Sequence, residues 1–261
     1  MFNLWPVSVG AALALAFFII FTAVILVASR ASKGRMQAQE DELRKAAALR
    51  GWTFNSTHER GYRIYKYSGT TNGVAWDAES AKLMAGGNKH GRRRHIGRWH
   101  AKWSPGLTAP LVAMGVPKGK EVLDFQVAQG DGFFARMAQK AVGFAFDKAI
   151  DVYFGPEIGA EVDAGTLKHV SEPSVPGFIF VAGNVDEARR ILAEGLQRAL
   201  HDATNSNTSV LADEDRPYLL LRPRGISLAR MEEFRDVEEL EQFVRAGVGL
   251  TRAFRFGRPA T

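Results

Sequence analysis

The densest run of chemically capable side chains lies between Lys82 and Lys102. There Lys89, Arg92, Arg93, Arg94, Arg98 and Lys102 are interleaved with His90, His95, His100 and Trp99. Residues 80–120 carry nine basic side chains and no acidic one, whereas residues 121–261 are net acidic. A stretch of one sign attracts anions, and near an anionic membrane each Lys or Arg adds about 1 kcal/mol, fading within a Debye length. Arg92, Arg93 and Arg94 with Trp99 and Trp103 also hold the ingredients for phosphate contacts and base stacking, yet no nucleic-acid-binding signature surrounds them. The bland alternative is a solvated loop with no partner. His90, His95 and His100 are five residues apart, which is neither one helix face nor one strand face. A metal among these cations would add charge to charge, so no metal site is read here. The histidines would instead make the run more positive as pH falls toward about 6.5.

Other chemistry is sparse. There is no cysteine, which excludes disulfides, thiolate ligands and a cysteine nucleophile. No phosphate-binding loop, nucleophile-elbow serine or zincin helix is present. Glu157, Glu161 and Asp163 share a loop-like segment, but nothing in the sequence sets two of them around a substrate. Trp52, Trp76 and Phe125 read as sheet core. The sequence therefore assigns no catalytic residue, no metal ligand and no cofactor.

The elements that carry these residues begin with an apolar rod. No side chain from Met1 to Ser29 is charged, and residues 7–28 read VSVGAALALAFFIIFTAVILVA. As a helix this run is roughly 33 Å long, enough to cross a hydrocarbon core of about 30 Å. A cleaved signal peptide is the rival; it would have cations before the run and a shorter apolar stretch. Arg30, Lys33 and Arg35 follow the run and no cation precedes it, which predicts an outside N-terminus and a cytoplasmic remainder. Residues 37–50 (QAQEDELRKAAALR) favour a helix that Gly51 can close, a stalk between membrane and domain.

Over the whole chain, 261 residues with 46% hydrophobic and 24% charged side chains suit a globular fold rather than a disordered one, and the part beyond the stalk reads as α+β. Strands are predicted at 52–55, 62–68, 74–80, 111–116, 122–128, 178–182, 209–212, 218–221 and 225–229. Asn72-Gly73 marks a hairpin, and Trp76 and Ala78 alternate with Asp77 and Glu79 as a half-buried strand requires. The glycines between Gly86 and Gly97 predict a loop over 82–102. Apolar pairs recur every four residues over 133–153, the mark of one helical face. Asn184 with Glu187, and Asp236 with Glu239, have capping-box spacing and predict two further helix starts.

The run Gly51-Trp52-Thr53-Phe54, then 65–70 and 73–76, resembles uncharacterised single-pass bacterial inner-membrane proteins. The strand, capped helix and strand pair over 178–221 are similar to the same group. The resemblance covers about half of the part after the stalk. It implies an anchored cytoplasmic α+β domain with no known activity, so no catalytic residue is carried over.

The expectation is thus an anchor at 1–29, a helical stalk at 30–51 and a cytoplasmic domain at 52–261, with a sub-boundary near 155–175. That domain should hold a mainly antiparallel sheet with two or three packed helices. As a function, a binding, scaffold or sensor domain is expected, its Lys89, Arg92, Arg93, Arg94, Arg98 and Lys102 touching anionic lipid or an acidic partner. An enzyme acting on a membrane-proximal or lipid-linked substrate is the alternative, and nucleic-acid binding the third. A pocket lined by converging polar groups would favour the enzyme, and a packed sheet–helix interface the binding module.

Overall fold

A computed structural model of the chain describes residues 14, 17–18, 21–22, 34, 36–59, 62–83, 96–115, 150–171, 177–196, 198, 200, 217–230, 232–234 and 236–256. The strands expected at 122–128 and 209–212, most of the helix at 133–153, and Lys89, Arg92, Arg93 and Arg94 lie outside these residues. The chain divides into two units, 1–46 and 47–261.

In the first unit Ala14, Phe17, Phe18, Phe21 and Thr22 are helical, as are residues 36–46. Phe17 and Phe21, one turn apart, stack at 6.2 Å, and the Thr22 hydroxyl donates to the Phe18 carbonyl at 2.7 Å. Phe17, Phe18 and Phe21 are 72%, 66% and 55% exposed. Most of the run at 7–28 is outside the described residues, and among those described no helix is long and apolar enough to cross a membrane.

The second unit is α+β, built on a large antiparallel sheet. Nine strands are joined in the order β1-β2-β3-β4-β9-β8-β5-β7-β6. They are β1 (Thr53–Glu59), β2 (Tyr62–Thr71), β3 (Val74–Leu83), β4 (Ile96–Ala101), β5 (Leu111–Gly115), β6 (Lys168–Val170), β7 (Phe178–Ala182), β8 (Tyr218–Arg222) and β9 (Gly225–Arg230). Asn72 and Gly73 both take positive φ, 51° and 76°, and close the β2–β3 hairpin as their residue types require. The loop expected over 82–102 needs correction. Leu83 ends β3 and Ile96 begins β4, the fourth strand of the sheet. Ile96, Trp99 and Ala101 are buried, and their burial outweighs the local glycine signal.

Register explains what each face does. Phe54, Tyr67, Ala78, Trp99, Leu228, Leu219, Ala113, Phe180 and Val170 pair in turn across all nine strands, an unbroken apolar row on one face. The C-terminal helix Val237–Phe256 packs against β3, β4 and β9, and the helix Val185–Ile191 against β6 and β7. Gly247 allows the close approach, since a Cβ there would lie 2.5 Å from the Trp99 ring. On the opposite face the partners run Thr53, Ser68, Asp77, His100, Ser227, then Leu220, Val112, Val181 and His169. That row is polar through β9 and then turns apolar. Over its apolar part Ile150, Phe154 and Val162 form a core cluster with Val112, Val181 and Leu220. Among the described residues the polar part has no such cover.

Both expected helix starts are present, and the acids of their capping boxes reach into the tertiary structure. Asn184 Oδ1 accepts from the Glu187 amide at 3.2 Å, while the Glu187 carboxylate accepts from the amide and hydroxyl of Thr108. Asp236 Oδ1 accepts from the Glu239 amide at 2.8 Å, while Glu239 pairs with buried Arg230 at 2.7 Å. At the other end of the domain the helical residues 47–49 close on Gly51, φ 72°, and the Trp52 amide donates to the Ala47 carbonyl. Arg50 then pairs with Glu241 at 2.7 Å and Glu238 at 3.0 Å on the C-terminal helix. Its Glu241 bond, opposed by burial, raises the Arg50 pKa, and the same bond lowers that of Glu241. Arg50→Ala is expected to cost about 1 kcal/mol, the upper range for a partly exposed pair in a network, measured by urea denaturation.

Candidate cleft on the polar sheet face

The polar half of the sheet forms the floor of a cleft of about 690 Å³. Thr53 and Asn55 come from β1, Lys66 and Ser68 from β2, Asp77 and Glu79 from β3, Arg98 and His100 from β4, and Ser227 from β9. Residues 154–158 make the wall, with Phe154 and Ile158 apolar and Glu157 charged. Strand alternation sends every second side chain to this face. Two rows result, Asn55-Lys66-Glu79-Arg98 and Thr53-Ser68-Asp77-His100-Ser227. Lys66, Asp77 and Glu157 are exposed, so the cleft is open to solvent.

Arg98 fixes the wall to the floor. Its guanidinium donates to the carbonyls of Tyr153 at 2.7 Å and Val152 at 2.6 Å, and to Glu79 at 3.2 Å. A cation on the last carbonyls of a helical turn satisfies orphan acceptors and suits the negative end of its dipole. Gly155, φ 93°, follows that turn, and a Cβ there would sit 3.3 Å from Arg98 Nη1. The side chain of Arg98 is 23% exposed. In this arrangement the arginine serves as an internal strut. Of the six cations read as one surface set, Lys102 is exposed just after β4 and the other four lie outside the described residues.

His100 occupies the other row. Its Nδ1 lies 3.0 Å from both the Ile226 carbonyl and the Ser227 hydroxyl, and 3.4 Å from Arg222 Nη2. Burial, then the Arg222 guanidinium, pull its pKa below 6.5 against the Ile226 bond and Asp77. The ring is neutral at neutral pH, and no hydrogen bond is made by Nε2 among the described residues. In the tautomer whose Nδ1–H donates to the Ile226 carbonyl, Nε2 can accept a hydrogen bond or a proton from a bound molecule; in the other tautomer it donates. Ser227 is 1% exposed, and its hydroxyl lies against the ring. Among the described residues no group of His, Asp and Glu has the arrangement to hold a metal ion.

Of the loop carboxylates, Glu157 lines the cleft, Glu161 bonds Arg222 at 2.6 Å, and Asp163 accepts from the Gly165 amide. Sequence reasoning missed Asp77, Glu79, His100, Arg222 and Ser227 as one constellation. Its signal was present in part: Asp77 and Glu79 flank Ala78 on the polar side of a half-buried strand. The chain matches no protein-family model, no curated protein and no solved structure.

Proposed function

We propose that this protein is a binding domain held at a membrane, with residues 7–28 as a single span, the N-terminus outside and the α+β domain cytoplasmic. What carries the anchor is the exposure of Phe17, Phe18 and Phe21 along helical residues of an uncharged run. Large aromatics bared together mark a surface that leaves water for lipid or protein. The stalk over 30–51 then sets the domain beside the inner leaflet. Lys89, Arg92, Arg93, Arg94 and Lys102 meet anionic headgroups or an acidic protein, without Arg98. The full chain in proteoliposomes tests the lipid contact. Trypsin cleavage after Arg92, Arg93 and Arg94 should slow when anionic lipid replaces part of a zwitterionic bilayer, and equal rates in both would refute it. Retention in the membrane pellet after alkaline carbonate should accompany this, and release would remove the anchor.

The cleft favours a second reading, an enzyme acting on a membrane-proximal or lipid-linked substrate. A neutral imidazole with a free nitrogen in a polar cleft is a general base within reach of a bound proton donor. His100→Gln would then abolish turnover while leaving any binding to the basic run intact.

A further inference from the structure

The segment that continues from the wall, residues 159–162, has a strut of its own, and this one leans on a titratable ring. Arg222, at the end of β8, has a side chain 4% exposed and bonds Glu161 at 2.6 Å. Glu161 immediately precedes Val162, a member of the core cluster under the wall. The same guanidinium approaches His100 Nδ1 to 3.4 Å. Gly225 makes that approach possible: a Cβ there would lie 2.6 Å from His100 Cε1 and 3.0 Å from Arg222 Nη2.

Nδ1 has one valence for three neighbours. In the neutral ring it either donates to the Ile226 carbonyl or accepts from the Ser227 hydroxyl or from Arg222. The imidazolium has no lone pair on either nitrogen. It donates to Ile226, and Arg222 is left as a buried cation facing another cation, a configuration that costs heavily away from water.

We propose that protonation of His100 displaces Arg222 and breaks its bond to Glu161, so that residues 155–162 loosen from the sheet and the cleft opens as pH falls. The charges around His100 set the direction. Asp77 on β3 favours the imidazolium, whereas Arg222 on β8 and Lys102 beyond β4 oppose it. β9 presents only the hydroxyl of Ser227, and the wall contributes Glu157 to the cleft and Glu161 behind Arg222. Burial adds to the opposition, so the ring takes a proton less readily in the strutted state than in water, where its value is 6.5. The released state then binds more protons, and the strutted state loses stability as pH drops below 6.5 and is unaffected well above it.

Hydrogen exchange of the full chain tests this at about pH 7.5 and about pH 5, on either side of the ordinary histidine range, after correction for intrinsic rates. The reporters are the amides of Gly159, Ala160, Glu161 and Val162, bonded to Gly155, Pro156, Ile158 and Gly159. In the wild type their protection should fall on acidification, by about tenfold for each pKa unit separating the strutted and released rings. His100→Gln should keep its protection at both pH values, and Arg222→Gln should lack it at both. The Leu240 amide, bonded to Asp236 on the C-terminal helix, should stay protected throughout and so separates opening of the wall from global unfolding. Wild-type protection that ignores pH, His100→Gln protection that follows the wild type, or an Arg222→Gln wall as protected as the native one would each overturn the switch.

Discussion

Trp99→Ala is expected to destabilise the domain by about 3–5 kcal/mol, the range for truncating a large buried aromatic. Trp99 is 1% exposed and stands at the middle of the apolar row, between Ala78 and Leu228 and beneath Gly247. Its loss would empty the space that the C-terminal helix closes. Its Nε1 has no hydrogen-bond partner among the described residues. Trp99→Phe therefore removes an orphan donor along with the lost atoms and should cost much less than Ala. Gly247→Ala errs in the other direction. Its Cβ would drive into a ring that has nowhere to move, at about 1–3 kcal/mol for overpacking. Combining Gly247→Ala with Trp99→Leu should cost less than the two separate effects together, because one residue gives the volume the other needs. Denaturation midpoints of the four proteins give the cycle, and strict additivity would mean the two residues do not touch.

The second large effect belongs to Arg98. Arg98→Ala deletes bonds to the Val152 and Tyr153 carbonyls and to Glu79. A loss of about 2–3 kcal/mol is expected, the scale for charged hydrogen bonds. Arg98→Lys keeps the charge but offers a point instead of a fork, and it should recover only part of the loss. Stability equal to wild type for the alanine variant would show that the helical turn holds without its strut. Unlike His100→Gln, neither variant should acquire or lose a pH dependence below 6.5, since Arg98 stays charged throughout.

What could be read in advance follows how local its cause is. The β2–β3 hairpin is written in two adjacent residues, Asn72 and Gly73, whose positive φ values few other pairs adopt. The capped starts at Asn184 and Asp236 are likewise settled within four residues. β4 is different. Gly91 and Gly97 with three successive arginines give its surroundings the look of a loop, and only burial of Ile96, Trp99 and Ala101 makes it a strand. The cleft was less legible still. His100 meets Ser227 across 127 positions, and Arg98 reaches Val152 across 54. No spacing rule spans such separations, because strand order decides them and the order β4-β9-β8-β5 is set by pairing far along the chain. A count of cations gives Arg98 a charge but no direction, and its bonds to Val152 and Tyr153 come only from the folded chain.

The alternation of the two rows has an evolutionary corollary. Thr53, Ser68 and Asp77 face the cleft while their chain neighbours Phe54, Tyr67 and Trp76 face the core. Selection can then rewrite the floor, exchanging hydroxyls, amides and charges, while the scaffold beneath is inherited unchanged. Lineages sharing this architecture would diverge first in the residues of the floor and last in those of the scaffold.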